Sequence, residues 1–261
     1  MKAPDAAHDE AALDWRGEPV RCRDCRHRAL QREGLCRRGK SCVRDRRARR
    51  VDRFFREHSE FADEYLDHPY FEVRAIAARF ANPFRLPALL DDPEPEVRGV
   101  AVLRLPAVRV ARLAGDPDMR VRVAVASRLE GQALLAMLKD DEYPVRLAAV
   151  RHLPLSLLPL AAHDPEPEVR RLVARRLPPE QLGLLARDNE PLVRLEVAER
   201  LRPEDLGLLS RDADLRVRFT VVERLPAAEL RPFLADTEAL IRETARRRIE
   251  TEGRTGGADE A

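Results

Sequence analysis

From Asp164 to Arg187 the chain reads DPEPEVRRLVARRLPPEQLGLLAR, and from Asp188 to Arg211 it reads DNEPLVRLEVAERLRPEDLGLLSR. The two stretches align position for position over 24 residues. The Val-Arg pair inside them recurs at Val73-Arg74, Val97-Arg98, Val121-Arg122, Val145-Arg146, Val169-Arg170, Val193-Arg194 and Val217-Arg218, and Ile241-Arg242 follows. A fixed period of this length is the signature of stacked supersecondary units, so it decides the architecture before any local propensity is weighed.

With the valine as position one, arginine fills position two in all eight units. Position nine is Leu105, Leu129, Leu153, Leu177, Leu201, Leu225 and then Ile249. Position fourteen is Leu86, Val110, Leu134, Leu158, Leu182, Leu206 and Leu230, and position seventeen is mostly leucine. Position twenty is aspartate from Asp92 to Asp236. The first unit departs in its middle, where Arg79-Phe80-Ala81 reads as shifted by one.

Positions one, four, five and nine give one apolar helical face. The aspartate reads as the N-cap, with proline at the first helical position, as in Asp164-Pro165-Glu166. Proline after position nine (Pro106, Pro154, Pro178, Pro226) ends the helix within about a dozen residues. The remainder carries two apolar anchors three apart, such as Leu182 and Leu185, which suits a 3₁₀ turn better than a second α-helix. Neither half can bury its stripe alone; stacking does, and the result is a solenoid. The repeated charges read as ladders along the stack. Position eight, usually arginine (Arg104, Arg128, Arg176, Arg200, Arg224), needs a partner or a helix-end carbonyl, and the neighbouring aspartate is the expected one.

The unit D-P-x-x-x-V-R-x-x-V-A-x-R-L-P…L-x-x-L-A resembles the leucine-rich repeat variant family over about residues 67–250. HEAT repeats are longer, with two full helices, and true leucine-rich repeats need a strand. The resemblance implies an all-α, right-handed superhelix of alternating α- and 3₁₀-helices.

All four cysteines lie in CRDCRHRALQREGLCRRGKSC, spaced C-x₂-C-x₁₀-C-x₅-C at Cys22, Cys25, Cys36 and Cys42. Four thiolates suit tetrahedral zinc or one iron–sulfur cluster, and residue chemistry alone leaves both open, with His27 as a further zinc donor. Members of the resembled family carry an N-terminal [4Fe–4S] module. The resemblance therefore implies cluster ligation by Cys22, Cys25, Cys36 and Cys42, with zinc as the alternative. It leaves His27 as a neighbour of the ligands or a surface residue.

Residues 21–50 hold thirteen Lys+Arg against Asp24, Glu33 and Asp45, a net +10 in a chain of +2, which leaves the rest at −8. These cations would offset a negative cluster, or bind phosphates. Stacking aromatics are absent from the module, which weakens single-strand recognition. The reading divides the chain into a flexible N-terminus (1–17), the cysteine module (18–50), a linking and capping helix (51–66), the repeats (67–250) and a disordered tail (251–261).

No run of about 18 apolar residues is present, so no membrane association is expected. The N-terminus lacks a secretory signal pattern, which makes the cytoplasm the expected compartment. There, clustered thiols favour metal over disulfide. G-x-S-x-G, P-loop, G-x-G-x-x-G and H-E-x-x-H patterns are all missing, and no enzyme activity is expected in the repeats. The leading expectation is a scaffold for a protein partner on the solenoid, with a structural or redox-sensing cluster. Nucleic-acid binding through the arginine-rich module and electron transfer are the alternatives.

Overall fold

The computed structural model describes residues 12–255. The chain forms two compact units, Met1–Ala133 and Leu134–Ala261. Among the described residues there are helices and two isolated bridges, with no named strand.

The first unit opens with a 3₁₀ turn at Cys22–Asp24, α1 (Arg28–Arg32) and α2 (Ala48–Glu57). A 3₁₀ segment, Ser59–Tyr65, leads into α3 (Phe71–Phe80), α4 (Pro95–Arg104), α5 (Ala107–Val110) and α6 (Met119–Ala126). Next along the chain comes α7 (Gly131–Ala136). The second unit continues through α8 (Tyr143–His152), α9 (Pro167–Arg176), α10 (Pro191–Arg200), α11 (Leu215–Arg224) and α12 (Ala239–Thr255). Between α8 and α11 the connecting segments are 3₁₀: Leu155–Ala161, Pro179–Leu185 and Pro203–Leu209.

The sequence pattern accounts for these ends. Pro95, Pro167 and Pro191 open their helices, where a missing N–H costs nothing and φ is already set. Leu105, Leu153, Leu177 and Leu225 close theirs in extended backbone, as residues before proline prefer. Leu201 precedes Arg202 rather than proline and still takes φ −57°, ψ 146°, so packing at position nine also ends the helix. In the first repeat, Ala81 occupies position nine as the extended C-cap of α3 and is buried. The register is therefore not shifted; only the side chains differ.

Positions one, five, nine and fourteen form the core. Val97, Val145, Val169, Val193 and Val217 are all 0% exposed, as are Leu158, Leu182 and Leu206. Each such side chain contributes roughly 1.5–3 kcal/mol by leaving water.

The charged ladder differs from the sequence reading in two ways. First, the N-cap residues are Glu94, Asp118, Glu142, Glu166, Glu190 and Asp214, two positions beyond the repeated aspartate. The aspartate instead turns the chain before the helix: Asp92 Oδ1 accepts the Glu94 N–H at 2.9 Å, and Asp164 and Asp188 do the same for Glu166 and Glu190. Its carboxylate is then free to receive the position-two arginine from 18 residues earlier. Arg98 donates Nε and Nη2 to Asp116 at 2.8 and 2.7 Å, while its Nη1 reaches the Asp92 and Pro93 carbonyls at 2.9 and 3.1 Å. Arg74–Asp92 repeats this in the first unit, and Arg146–Asp164, Arg170–Asp188, Arg194–Asp212 and Arg218–Asp236 repeat it in the second.

Second, the position-eight arginine does not take the aspartate. Arg104 donates to the carbonyls of Ala78, Arg79 and Ala81, and Arg200 and Arg224 donate to those of Ala174 and Ala198. These carbonyls end the preceding helix, where intrahelical donors run out and positive charge is favoured.

The segment read as one helix over 51–66 is two elements. His58 (φ −140°, ψ 59°) breaks it, and its ring bonds the Leu35 carbonyl at 3.0 Å. At the N-terminus, residues 1–11 lie outside the described residues, and residues 12–17 lead into a turn bridged by Leu13 and Pro19. At the other end α12 continues to Thr255, and residues 256–261 of the expected tail lie outside the described residues.

Candidate metal centre

Three short pieces of chain carry the four cysteines. In the first, the 3₁₀ turn closes with the Cys25 N–H donating to the Cys22 carbonyl at 3.2 Å. After α1, Gly34 (φ +76°) lets the chain reverse, a conformation that suits glycine. The Leu35 N–H then bonds the Leu30 carbonyl at 2.9 Å and delivers Cys36. Finally, Cys36 and Cys42 flank a five-residue reversal. Arg37 and Ser41 exchange backbone bonds at 3.0 and 2.9 Å, and Gly39 sits at φ +81° between them.

Cys36 and Cys42 are buried, Cys22 and Cys25 are half-buried, and all four thiols are free. Cys36 Sγ donates to the Ser41 carbonyl at 3.3 Å, and the interplay of the Cys36 and Cys42 thiols pushes the Cys36 thiol up and pulls the Cys42 thiol down. The backbone N–H groups of Arg44 and Asp45 also favour the Cys42 thiolate. Burial raises the Cys25 thiol, against the His27 backbone N–H and the Arg44 guanidinium, while Cys42 and Cys22 act on it as like charges. Partly desolvated thiols that act on one another as like charges are a donor set a cationic centre stabilises. The residues therefore fit a thiolate-bound metal group. Among the described residues, no three or more Cys, His, Asp or Glu side chains are grouped as one metal ion would need.

His27 is neither a surface residue nor placed to ligate. It is buried, its Nε2 lies 2.7 Å from the Tyr65 hydroxyl, and its ring packs 5.1 Å from Phe54 and 4.5 Å from Phe61. Its ring titrates low because burial disfavours the charged form. Phe54 and Phe55 are fully buried, and Phe55 lies 6.4 Å from Phe80 of α3. The aromatic segment thus joins the cysteine module to the first repeat.

Sequence reasoning missed two supporting contacts. Tyr65 holds His27, and Ser41 Oγ donates to Glu57 Oε2 at 2.7 Å, fixing the Cys36–Cys42 reversal to the end of α2. The sequence marks Tyr65 only as one aromatic of the 51–66 segment. Arg44 Nη1 reaches the Asp24 carbonyl at 3.1 Å, across the first cysteine turn. No helix among the described residues is long and apolar enough to cross a membrane.

Residues 12–64 match the family described as "LRV protein FeS4 cluster", and residues 167–190 match "Leucine rich repeat variant". An uncharacterized 27.7 kDa protein from the nifB 3′ region of Rhodobacter capsulatus is 53% identical over 78 residues. That match takes in 30% of this chain and 32% of the relative's length. A solved structure described as a leucine-rich repeat variant with a novel repetitive structural motif is 39% identical, with a TM-score of 0.80. It covers 88% of this chain, and the match takes in 98% of that one. With its iron–sulfur module ahead of an all-helical solenoid, the chain belongs to the leucine-rich repeat variant family.

Proposed function

We propose that this iron–sulfur repeat protein is a non-enzymatic scaffold that binds a protein partner along its repeats, and that it acts in the cytoplasm. Its cluster is of the [4Fe–4S] type, held by Cys22, Cys25, Cys36 and Cys42, with a structural or redox-sensing role. The observation that carries the scaffold reading lies at position sixteen. There Leu160, Leu184 and Leu208 of three successive units are 66%, 53% and 61% exposed. Other units place Ala88, Arg112, Ala136 and Pro232 at this position, so the stack itself does not require leucine. Leu160 and Leu184 each border a cavity of about 490 and 500 Å³, which also holds an Arg–Asp pair. An apolar row beside recessed polar groups suits an extended partner segment with apolar side chains. The repeated arginines and aspartates are committed to the ladder, which supports a non-catalytic reading of the repeats.

The cluster reading is supported by the match over residues 12–64 and by the donor set.

Two measurements test the proposal. Anaerobic purification with iron, sulfide and EPR analysis is expected to give four irons per chain; one zinc and no iron would remove the cluster reading. Affinity capture with oxidised and reduced protein, repeated with Leu160→Lys, Leu184→Lys and Leu208→Lys, is expected to show a partner lost on all three substitutions. Capture indifferent to them would remove the leucine row.

A further inference from the structure

Beside the cysteine module, a cavity of about 540 Å³ is lined by Gly39, Lys40, Arg47, Arg49, Arg50 and Arg53. Five of its six lining residues are cationic, and none is acidic or aromatic. Among the described residues Lys40, Arg49 and Arg53 have no acidic partner. Arg50 is held in place by Asp45 at 2.9 Å, and Asp45 Oδ1 also accepts the Arg47 N–H at 3.0 Å, so this wall is fixed before any ligand arrives.

The arrangement is unfavourable for folding alone. Like charges around one concavity repel. They also surround the start of α2, where Ala48–Glu57 has no acidic residue in its first turn and no side-chain cap. A helix N-terminus favours negative charge, yet the sequence places Arg49 and Arg50 there. An anion is the complement the cavity lacks.

We propose that this cavity binds a compact oligophosphate, the linked phosphates of pyrophosphate, triphosphate or a nucleoside di- or triphosphate. Planar guanidinium forks donate to phosphate oxygens in pairs, and several forks around one volume match several linked phosphates. The volume lies in the range of small-molecule sites, about 300–1,000 Å³. Without an aromatic lining there is no platform for a base, so the phosphates are recognised rather than the nucleoside. A single concavity also suits a compact anion better than an extended nucleic-acid backbone.

The test is calorimetric titration of the anaerobically purified full chain at about 10 mM salt. The probes are sodium phosphate, pyrophosphate, triphosphate, ATP and a single-stranded oligonucleotide. One triphosphate per chain is expected, with affinity rising from phosphate to pyrophosphate to triphosphate. ATP should match triphosphate within a few-fold. Lys40→Gln and Arg53→Gln, separately and together, are expected to weaken triphosphate at least tenfold without changing the circular dichroism or visible spectra. Arg32→Gln, on α1 outside the cavity, should leave binding unchanged. No saturable triphosphate binding, or equal weakening by Arg32→Gln, would overturn the site. An oligonucleotide at least tenfold tighter than triphosphate would overturn the compact-anion assignment in favour of a nucleic-acid backbone.

Discussion

Arg170 and Asp188 meet through two parallel hydrogen bonds, Nε to Oδ2 at 2.6 Å and Nη2 to Oδ1 at 2.8 Å, with side chains only 13% and 5% exposed. Asp188 also accepts the Glu190 N–H, and Arg170 also donates to the Asp164 and Pro165 carbonyls. One pair therefore organises two successive helix starts.

Removing one member of this pair leaves a buried charge without its partner. Asp188→Ala is expected to cost about 3–5 kcal/mol. The double substitution Arg170→Met with Asp188→Leu is expected to cost less than Asp188→Ala alone, because no unpaired ion remains. Urea unfolding of the three proteins checks the order; a double variant weaker than the single one would show that the ladder's geometry matters more than its charge.

Acid should weaken the ladder in a defined window. Hydrogen bonds from Arg218 hold the ladder carboxylate Asp236 below the usual carboxylate range, and at the neighbouring helix start Arg216 holds the N-cap Asp214 down at about 2. A depressed folded-state pKa stabilises the fold above the unfolded value of about 3.9, and that contribution disappears as pH falls through the folded value. The melting temperature should hold from neutral pH to about 5 and fall between about 4 and 2. Asp236→Asn should flatten that fall, measured by thermal melts across the range.

Position-eight arginines are expected to matter through helix ends rather than through ion pairs. Arg200→Met strands the helix-terminal Ala174 carbonyl that the guanidinium now satisfies, at a cost of about 1–3 kcal/mol. Added salt should change this difference little, unlike that of an exposed ion pair such as Arg112–Asp91. Melting curves at low and high salt separate the two.

Tyr65→Phe removes the partner of the buried His27 ring while keeping the aromatic packing. A loss of about 1–3 kcal/mol is expected, with the iron content unchanged because Tyr65 supplies no thiol. Loss of iron in this variant would show that the His27 contact positions the Cys25 turn.

Ala12, just ahead of the cysteine module, forms a small buried cluster with Val20 and Cys42. Cys42→Ser is expected to lower the iron content and the amide-exchange protection of residues 12–65, while residues 134–255 keep theirs. Equal loss of protection throughout would show that the two regions unfold together.

The period of 24 and its apolar positions were legible because each buried valine and leucine must recur where the stack requires it. The partners of the charges were not. Asp92 and Asp164 stand where a cap is common, and only the path of the chain shows that the turn comes two residues before the helix. Arg104 and Arg98 differ in sequence by six positions, but one faces the carbonyls of the preceding helix and the other the aspartate ahead. That choice depends on three-dimensional offset between neighbours, which a linear pattern does not contain. The cysteine spacing announced a donor set; the burial of His27 and its bond to Tyr65 needed coordinates.

Arg74, Arg98, Arg146, Arg170, Arg194 and Arg218 each reach forward 18 residues to a carboxylate and back six to a carbonyl, so the ladder has translational symmetry along the chain. Removing or inserting 24 residues leaves every rung with a partner of the right kind. Removing 23 leaves guanidinium groups facing the wrong neighbours on both sides of the cut. Length in such a protein is quantised: it can change by whole periods at small cost, and the stretch presenting Leu160, Leu184 and Leu208 could be lengthened without redesigning what lies beneath it.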